Sequence, residues 1–268
     1  MFKASVFTFR KKYSILVLIS LIVVLSGCQA ASNEPIDPET AGFFDLYFVN
    51  TFSIIIKSVA SFFHGNYGLS IVVVTLIVRL ALMPLMLKQQ KGSYKMRDKM
   101  STIKPELDDI QAKYKGKKDK DSQKKMQQET MELYQKHQFN PIASMGCLPM
   151  IIQFPILIGF YYAIRRTPEI AEHSFLWFNL GQTDLVMPLI AAGIYFLQFK
   201  TTQIGLEPQQ RKQMAIMGLI SPIMIGMVSF NAPAALPLYW AVGGTFLIFQ
   251  QLLSKKLYSP SFATTSKI

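Results

Sequence analysis

Five blocks of apolar residues, each close to the length that crosses a lipid bilayer as an α-helix, constrain this chain more than any other feature. At a rise of 1.5 Å per residue, about 20 residues span the hydrocarbon core of a bilayer. Only 16% of the residues are charged, whereas soluble domains carry about 25%. The pattern therefore predicts an all-α polytopic membrane protein, with transmembrane helices at 67–87, 145–164, 185–201, 214–230 and 235–253.

The N-terminus has the pattern of a bacterial lipoprotein signal. A basic segment that ends at Lys12 precedes an apolar run from Ile15 to Leu25, and Ser26-Gly27-Cys28 follows at once. Small residues before a cleavage point are typical of secretory signals, and the thiolate of Cys28 would accept the diacylglycerol. We expect cleavage to remove residues 1–27 and leave Cys28 as an N-palmitoyl, S-diacylglycerol cysteine. The alternative is an uncleaved anchor in which Cys28 has no role.

Two segments follow the signal before the first predicted span. Residues 28–42 contain Pro35 and Pro38 without apolar periodicity, which is typical of a flexible extracellular tether. In residues 43–63, polar side chains recur every three or four positions and form one stripe on a helix that is otherwise apolar. That pattern favours a helix lying in the membrane interface over one that crosses the bilayer. The polar positions are Asn50, Ser53, Lys57, Ser61 and His64.

The distribution of basic residues predicts how the spans are oriented. Half of the 28 Lys and Arg residues lie between Lys88 and Lys136. With one crossing before residue 88, this stretch faces the cytoplasm, and only Lys57, Arg165 and Arg166 lie outside the cell. Cytoplasmic loops are enriched in basic residues. We therefore expect the lipid-anchored N-terminus outside and the tail, residues 254–268, in the cytoplasm.

The basic stretch itself, residues 88–138, is predicted to be a cytoplasmic helical hairpin. Apolar residues from Met96 to Tyr114 alternate steps of four and three, as in a coiled-coil seam, and the rhythm resumes after Lys115-Gly116-Lys117. Pro105 is expected to interrupt the first helix, which would then kink or begin anew there. The hairpin is either a solvated connection between two spans or a docking surface for an anionic partner such as ribosomal RNA or lipid headgroups, and the two roles are compatible.

Arg79 is the residue that points most directly to a function. It lies near the middle of the first predicted span, where an arginine is costly to insert, and none of the five spans contains an acidic residue. Snorkelling from mid-membrane would require a long reach, so we expect Arg79 to face a water-filled cavity with Thr75 one turn away. Gln153, Gln198 and Trp240 lie in other spans and are candidates for the wall of that cavity. A permanent positive charge in this cavity would attract an anionic group.

The sequence contains none of the patterns that mark a catalytic or metal site. A P-loop, a HExxH motif, a GxSxG motif and a CxxC pair do not occur. The three histidines are far apart, and two of them lie in polar flanks. We therefore expect no enzymatic activity, no catalytic residues, no metal and no cofactor.

Several short motifs resemble those of the YidC/Oxa/Alb family of membrane protein insertases, and the similarity covers residues 43–255. The lipobox, without a large extracytoplasmic domain, is similar to the lipoprotein form found in Gram-positive bacteria. The motifs are Asn66-Tyr67-Gly68-Leu69-Ser70-Ile71, Arg79-Leu80, Met83-Pro84-Leu85, Asn140-Pro141, Gly146-Cys147-Leu148-Pro149, Ile152-Gln153-Phe154-Pro155-Ile156 and Leu238-Tyr239-Trp240.

The resemblance implies a fold and a function. Five spans would enclose a hydrophilic groove, open to the cytoplasm and to lipid but closed outside, with Arg79, Thr75, Gln153, Gln198 and Trp240 in it. The protein would be an insertase and chaperone of the Gram-positive plasma membrane. Its partners would be nascent membrane proteins, especially those with short acidic extracellular tails, the Sec translocon, and the ribosome through the basic loop. Two alternatives stay open: a small-anion transporter or channel, and a lipoprotein assembly factor that translocates nothing.

Overall fold

A computed structural model describes residues 41–117, 119–139, 147–206 and 208–258. The predicted signal, Cys28 and nearly all of the tether lie outside these residues, as does most of the C-terminal tail. The elements in chain order are a π-helical segment (Asp45–Val49), α1 (Asn50–Phe62), α2 (Tyr67–Tyr114), α3 (Lys120–Lys136), α4 (Cys147–Arg166), α5 (Pro168–Glu172), β1 (Ser174–Phe175), β2 (Phe178–Asn179), α6 (Val186–Gln203), α7 (Pro208–Phe230) and α8 (Ala235–Tyr258).

Each of the five predicted spans coincides with one of the long helices α2, α4, α6, α7 and α8. Within the described residues, α2 and α8 are long and apolar enough to cross a membrane by themselves, and Gly218–Phe230 is a shorter apolar stretch of α7. The chain is therefore predominantly helical, as expected for an all-α membrane protein. The number of crossings stays a prediction.

Helix α2 joins the first predicted span to the first arm of the hairpin without a break. Its 48 residues extend for about 72 Å at 1.5 Å per residue, which is more than twice the hydrocarbon thickness of a bilayer. Asn66 is the N-cap of the helix, and its side chain accepts a hydrogen bond of 2.9 Å from the Leu69 backbone N–H. The helix continues through Pro105 and does not begin anew there. Ile103 and Leu107, on either side of this proline, pack with Leu133 of α3 in one apolar cluster.

Helix α3 folds back on α2 after a turn in which Gly116 has φ +88°, a conformation that favours glycine. Asp119 caps α3 by accepting a 2.8 Å hydrogen bond from the Ser122 N–H. A small core of Ile103, Leu133 and Phe139 joins the two arms. We call this pair of arms the hairpin, and the end of the bundle from which it extends the hairpin end.

The base of the hairpin is held to the bundle through the end of α6. The Arg97 guanidinium donates a 2.9 Å hydrogen bond to the Gly205 carbonyl, and the ammonium of Lys255, at the end of α8, donates to the Thr201 carbonyl. Cations near the C-terminus of a helix satisfy its free carbonyls and complement its dipole. The outer half of α2 is thus anchored to the same helix end as α8.

The opposite end of the bundle, which we call the capped end, is covered by α1, α5 and the β1–β2 strand pair. The strands are antiparallel, with Ser174 opposite Asn179 and Phe175 opposite Phe178. Ser53 on α1 hydrogen-bonds Thr167 at 2.7 Å between their hydroxyls, and the Ser70 hydroxyl donates to the Ile56 carbonyl at 2.6 Å. These buried polar contacts tie α1 to the ends of α2 and α4.

Helix α1 buries Ser53, Ile56 and Ala60 against the protein, whereas Ser61, which also belongs to its polar stripe, is exposed. Ser53 is 8% exposed, whereas the apolar Ile54 and Phe62 are 55% and 78% exposed. In water this arrangement would be unfavourable, since exposed apolar area costs about 25 cal/mol per Å². It suits a helix whose outer face contacts lipid, as the sequence predicts for residues 43–63.

Candidate functional site

Arg79 lies on α2 between three other helices of the bundle. Its Nη1 is 3.5 Å from Oε1 of Gln153 on α4, a length at the outer limit of a hydrogen bond. Arg79 forms no ion pair with any residue in the described ranges. Arg79 is only partly exposed. Its guanidinium is a positive charge whose hydrogen bond to Gln153 is long and is made to an uncharged amide.

Gly243 on α8 provides the other side of the Arg79 environment. A Cβ atom placed at Gly243 would lie 3.1 Å from Nη2 and 3.5 Å from Nε of Arg79. A contact of 3.1 Å is tighter than nine in ten that real Cβ atoms make, so a side chain at this position would require the guanidinium to shift by a few tenths of an ångström. Gly243 therefore determines how closely Arg79 lies against α8.

Two tyrosines complete the surroundings of the guanidinium. The phenol groups of Tyr195 on α6 and Tyr239 on α8 both lie within electrostatic range of Arg79. Tyr239 is 5% exposed, and its ring stacks on Phe160 of α4, with the centroids 4.6 Å apart. None of these neighbours of Arg79, on α4, α6 and α8, is an acidic residue.

The other predicted site residues differ in how close they come to Arg79. Thr75 lies one turn before it but is 2% exposed, and its hydroxyl donates to the Ile71 carbonyl of the same helix at 2.6 Å. Trp240 is 8% exposed and belongs to the main apolar core. Gln198 is partly exposed on α6, one turn beyond Tyr195. Of these predicted residues only Gln153 is in hydrogen-bonding contact with Arg79, and a role for the others in binding stays a prediction.

Sequence reasoning missed Gly243, Tyr195 and Tyr239. Tyr239 stands within the Leu238-Tyr239-Trp240 motif, and Gly243 follows it by one helical turn, so the two share a face of α8. Tyr195 precedes Gln198 by three residues on α6 and shares a face with it in the same way. Helical spacing from residues already singled out could therefore have found all three.

The chemistry available at this site is electrostatic. Arginine stays protonated in proteins and carries five N–H donors that match carboxylates. Among the described residues no group of three or more His, Cys, Asp and Glu side chains could hold a metal ion. A positive charge without a carboxylate, between helices that lack acidic residues, can attract and hold an acidic group.

Comparison with known proteins finds a family model and relatives that match most of the chain. The family model of the 60Kd inner membrane protein matches residues 58–261. The chain is 49% identical to membrane protein insertase YidC 2 of Listeria monocytogenes over 93% of its length and 90% of that relative's. It is 46% identical to membrane protein insertase MisCB of Bacillus subtilis, over 92% of its length and 94% of the relative's. With YidC of Oceanobacillus iheyensis it shares 49% identity, over 92% and 97% of the two lengths. The chain therefore belongs to the YidC/Oxa/Alb family of membrane protein insertases, as its motifs predict.

Proposed function

We propose that this chain inserts segments of other membrane proteins into the bilayer and helps them to fold, using Arg79 to attract acidic residues of the incoming segment. Membership in the insertase family supports the function. The observation that carries the role of Arg79 is that its guanidinium, held between α2, α4 and α8, has no carboxylate partner in the described part of the chain.

The strength of the attraction between opposite charges is consistent with this role for Arg79. Two opposite unit charges 4 Å apart attract by about 4 kcal/mol at an effective dielectric of 20, and by about 1 kcal/mol in bulk water. The groove must contain enough water to admit a polar segment and be shielded enough from bulk solvent to strengthen this attraction. Entry of the acidic segment into such a groove is favourable. The apolar part of the client then moves into lipid, where burial gains about 25 cal/mol per Å². No hydrolysis is required.

The same proposal assigns an orientation and a location. The protein lies in the plasma membrane of a Gram-positive bacterium, with the capped end and lipid-modified Cys28 outside and the basic hairpin in the cytoplasm. The groove is lined by Arg79, Gln153, Thr75, Gln198 and Trp240 and opens to the cytoplasm. The hairpin contacts the ribosome, and the Sec translocon cooperates for some clients.

Two experiments test the orientation. A reporter that is active only in the cytoplasm should be active when fused near Gly116 and inactive when fused near Pro233, and the reverse pattern would contradict the proposal. Cys28→Ala should abolish palmitate labelling and leave a larger, unprocessed precursor. Unchanged labelling and mobility would exclude lipidation at Cys28.

The role of Arg79 is tested with two clients in vivo, one with an acidic extracellular tail and one in which the acids are replaced by amides. If charge attraction is the mechanism, Arg79→Lys retains most insertion of both clients, because the ammonium is also a cation. Arg79→Ala should then lose insertion of the acidic-tailed client while sparing the neutral one. Equal loss for both clients, in both variants, would contradict the attraction model and indicate that Arg79 supports the structure.

A further inference from the structure

The tip of the β1–β2 strand pair exposes two large apolar side chains. Leu176 and Trp177 connect the strands, and they are 72% and 56% exposed. Two-residue connections between antiparallel strands usually carry Asn, Asp or Gly. Apolar residues at such a position indicate that the tip is not surrounded by water alone.

The backbone of the tip strengthens this point. Leu176 has φ +54°, a left-handed conformation that glycine and asparagine adopt readily and leucine does not. A leucine here therefore costs free energy that an asparagine would avoid. Strain of this kind, kept together with an exposed apolar side chain, points to a role for that side chain.

The strand pair is held firmly at the level where α2 begins. A Cβ atom at Gly68, the second residue of α2, would overlap the Phe175 ring, so β1 lies directly on the first turn of that helix. The segment after β2 accepts hydrogen bonds from α8 and the residue before it: Ala234 N–H to the Gln182 carbonyl at 2.8 Å, and Ala235 N–H to the Leu180 carbonyl at 3.1 Å. The tip therefore cannot turn away from the bundle without breaking these contacts.

Other exposed apolar side chains occur at the same end of the bundle. Phe62, at the end of α1, is 78% exposed, and Leu185, just before α6, is 76% exposed. Between His173 and Asp184 the chain has no charged side chain, so moving the tip out of water desolvates no ion. Tryptophan is enriched where membrane proteins meet the headgroup region. The neighbours of the tip thus match a lipid interface.

We propose that Leu176 and Trp177 insert into the headgroup and upper acyl region of the lipid leaflet at the capped end, and so form a membrane anchor separate from α1. The proposal rests on the membrane placement of the bundle but not on the role of Arg79. The tip, together with α1, sets the depth at which the capped end lies in the bilayer. A protein partner for the same tip would leave it in water when the purified protein is alone in vesicles.

The test uses fluorescence of the full-length protein in phosphatidylcholine–phosphatidylglycerol vesicles. The chain has two tryptophans, so Trp240→Phe leaves Trp177 as the only one, and Trp177→Phe leaves the buried Trp240 as a matched control. Lipids spin-labelled near the headgroup should quench at least about half of the Trp177 emission, and more than lipids labelled near the chain end, whereas aqueous iodide should quench little. Trp240 should respond weakly to iodide and to headgroup labels.

A second variant separates the apolar side chain from the backbone conformation. In the Trp240→Phe background, Leu176→Asn introduces a residue that tolerates positive φ but removes the apolar group. We expect iodide quenching of Trp177 to rise by about twofold, since the tip then lies closer to water. Strong iodide quenching of Trp177 before this change, without quenching by labelled lipids, would overturn the anchor. Identical quenching before and after Leu176→Asn would overturn the part assigned to the leucine. Neither result depends on insertion activity, so failure of the anchor and failure of the proposed function are distinguishable.

Discussion

The capped end of the bundle and the surroundings of Arg79 each hold an arginine between helices, but only the capped end provides it with a carboxylate. Arg166 at the end of α4 donates to Asp45 at 2.8 Å, and the two side chains are 8% and 18% exposed. Arg79 contacts Gln153 and approaches Gly243 of α8 instead, and two phenols lie within electrostatic range of it. The charge of Arg166 is therefore paired within the fold, whereas Arg79 has no carboxylate partner among the described residues, as its proposed role requires.

The hairpin shows a third arrangement, in which charged pairs lie on the surface. Lys113 and Glu129 are 2.6 Å apart, and Lys136 and Glu106 are 2.8 Å apart. Exposed pairs of this kind contribute little to stability, because water screens them. The distance between the charged atoms therefore does not rank these contacts by their contribution to stability. That contribution depends on how deeply the charged groups are buried and on whether each has an oppositely charged partner.

Removal of the carboxylate at the capped end should have the largest effect on stability. Asp45→Asn removes the carboxylate from the buried pair with Arg166, and breaking such a pair typically costs about 3 kcal/mol or more. The apparent melting temperature in detergent should fall clearly below that of the parent. The double variant Asp45→Asn, Arg166→Gln should recover much of the loss, because no buried charge then remains. A single variant as stable as the parent would show that the pair is dispensable.

Gly243→Ala should have the next largest effect, and on function rather than on stability. The new Cβ would crowd the Arg79 guanidinium at 3.1 Å, so the arginine must shift. Displacing the guanidinium should weaken its attraction for an acidic group, and a loss of about 1.4 kcal/mol corresponds to a tenfold lower rate, so we expect insertion of an acidic-tailed client to fall by up to about tenfold. Gly193→Ala on α6 is the matched control, since its Cβ would meet nothing within 4 Å. Equal activity of the two variants would mean that the position of Arg79 against α8 is unimportant.

Lys57→Ala should have a smaller effect at the capped end. Lys57 on α1 and Glu169 on α5 are 2.6 Å apart, with side chains 42% and 40% exposed. Solvent screening limits such a pair to about 1 kcal/mol or less. The melting temperature should therefore change by far less than in Asp45→Asn. A loss as large as that of Asp45→Asn would contradict the ranking by burial.

The smallest effect is expected in the hairpin, and it should depend on pH. Hydrogen bonds from Lys136 and His137 hold the pKa of Glu106 below its ordinary value of 4.5. A carboxylate whose pKa is lowered by folding stabilises the fold above its unfolded pKa, and this contribution is lost as the pH falls through the folded value. Amide exchange in α3, corrected for its intrinsic pH dependence, should quicken in acid. Glu106→Gln should remove most of that acid response, and an unchanged response would assign it to other groups.

Much of the architecture could be predicted because it depends on local periodicity. Apolar blocks predict the long helices, and the break at Lys115-Gly116-Lys117 predicts the turn of the hairpin. Pro105 shows where local reasoning falls short. Proline disfavours a helix interior, yet α2 continues through it, beside the contacts that Ile103 and Leu107 make with the facing arm.

The site could be predicted only in part. Arg79 is conspicuous in the sequence because a charged residue within an apolar block is costly. Its neighbours are less conspicuous, since Gly243 lies far along the chain on α8 and is linked to a recognised motif only through helical spacing. The ion pair between Asp45 and Arg166 joins positions 121 apart and has no local signal either.

The sequence by itself determined the helical class, the family, the basic hairpin and the position of Arg79 within an apolar block, because these follow from composition, spacing and charge along the chain. Only the tertiary structure decided which groups approach the guanidinium, that α2 continues from the bundle into the hairpin, and that Ser53 of α1 is buried while Ile54 and Phe62 are exposed. These features depend on how closely helices approach and cross. Packing of this kind depends on surfaces from distant parts of the chain. Local sequence patterns describe each of these surfaces separately and do not show which of them will contact one another.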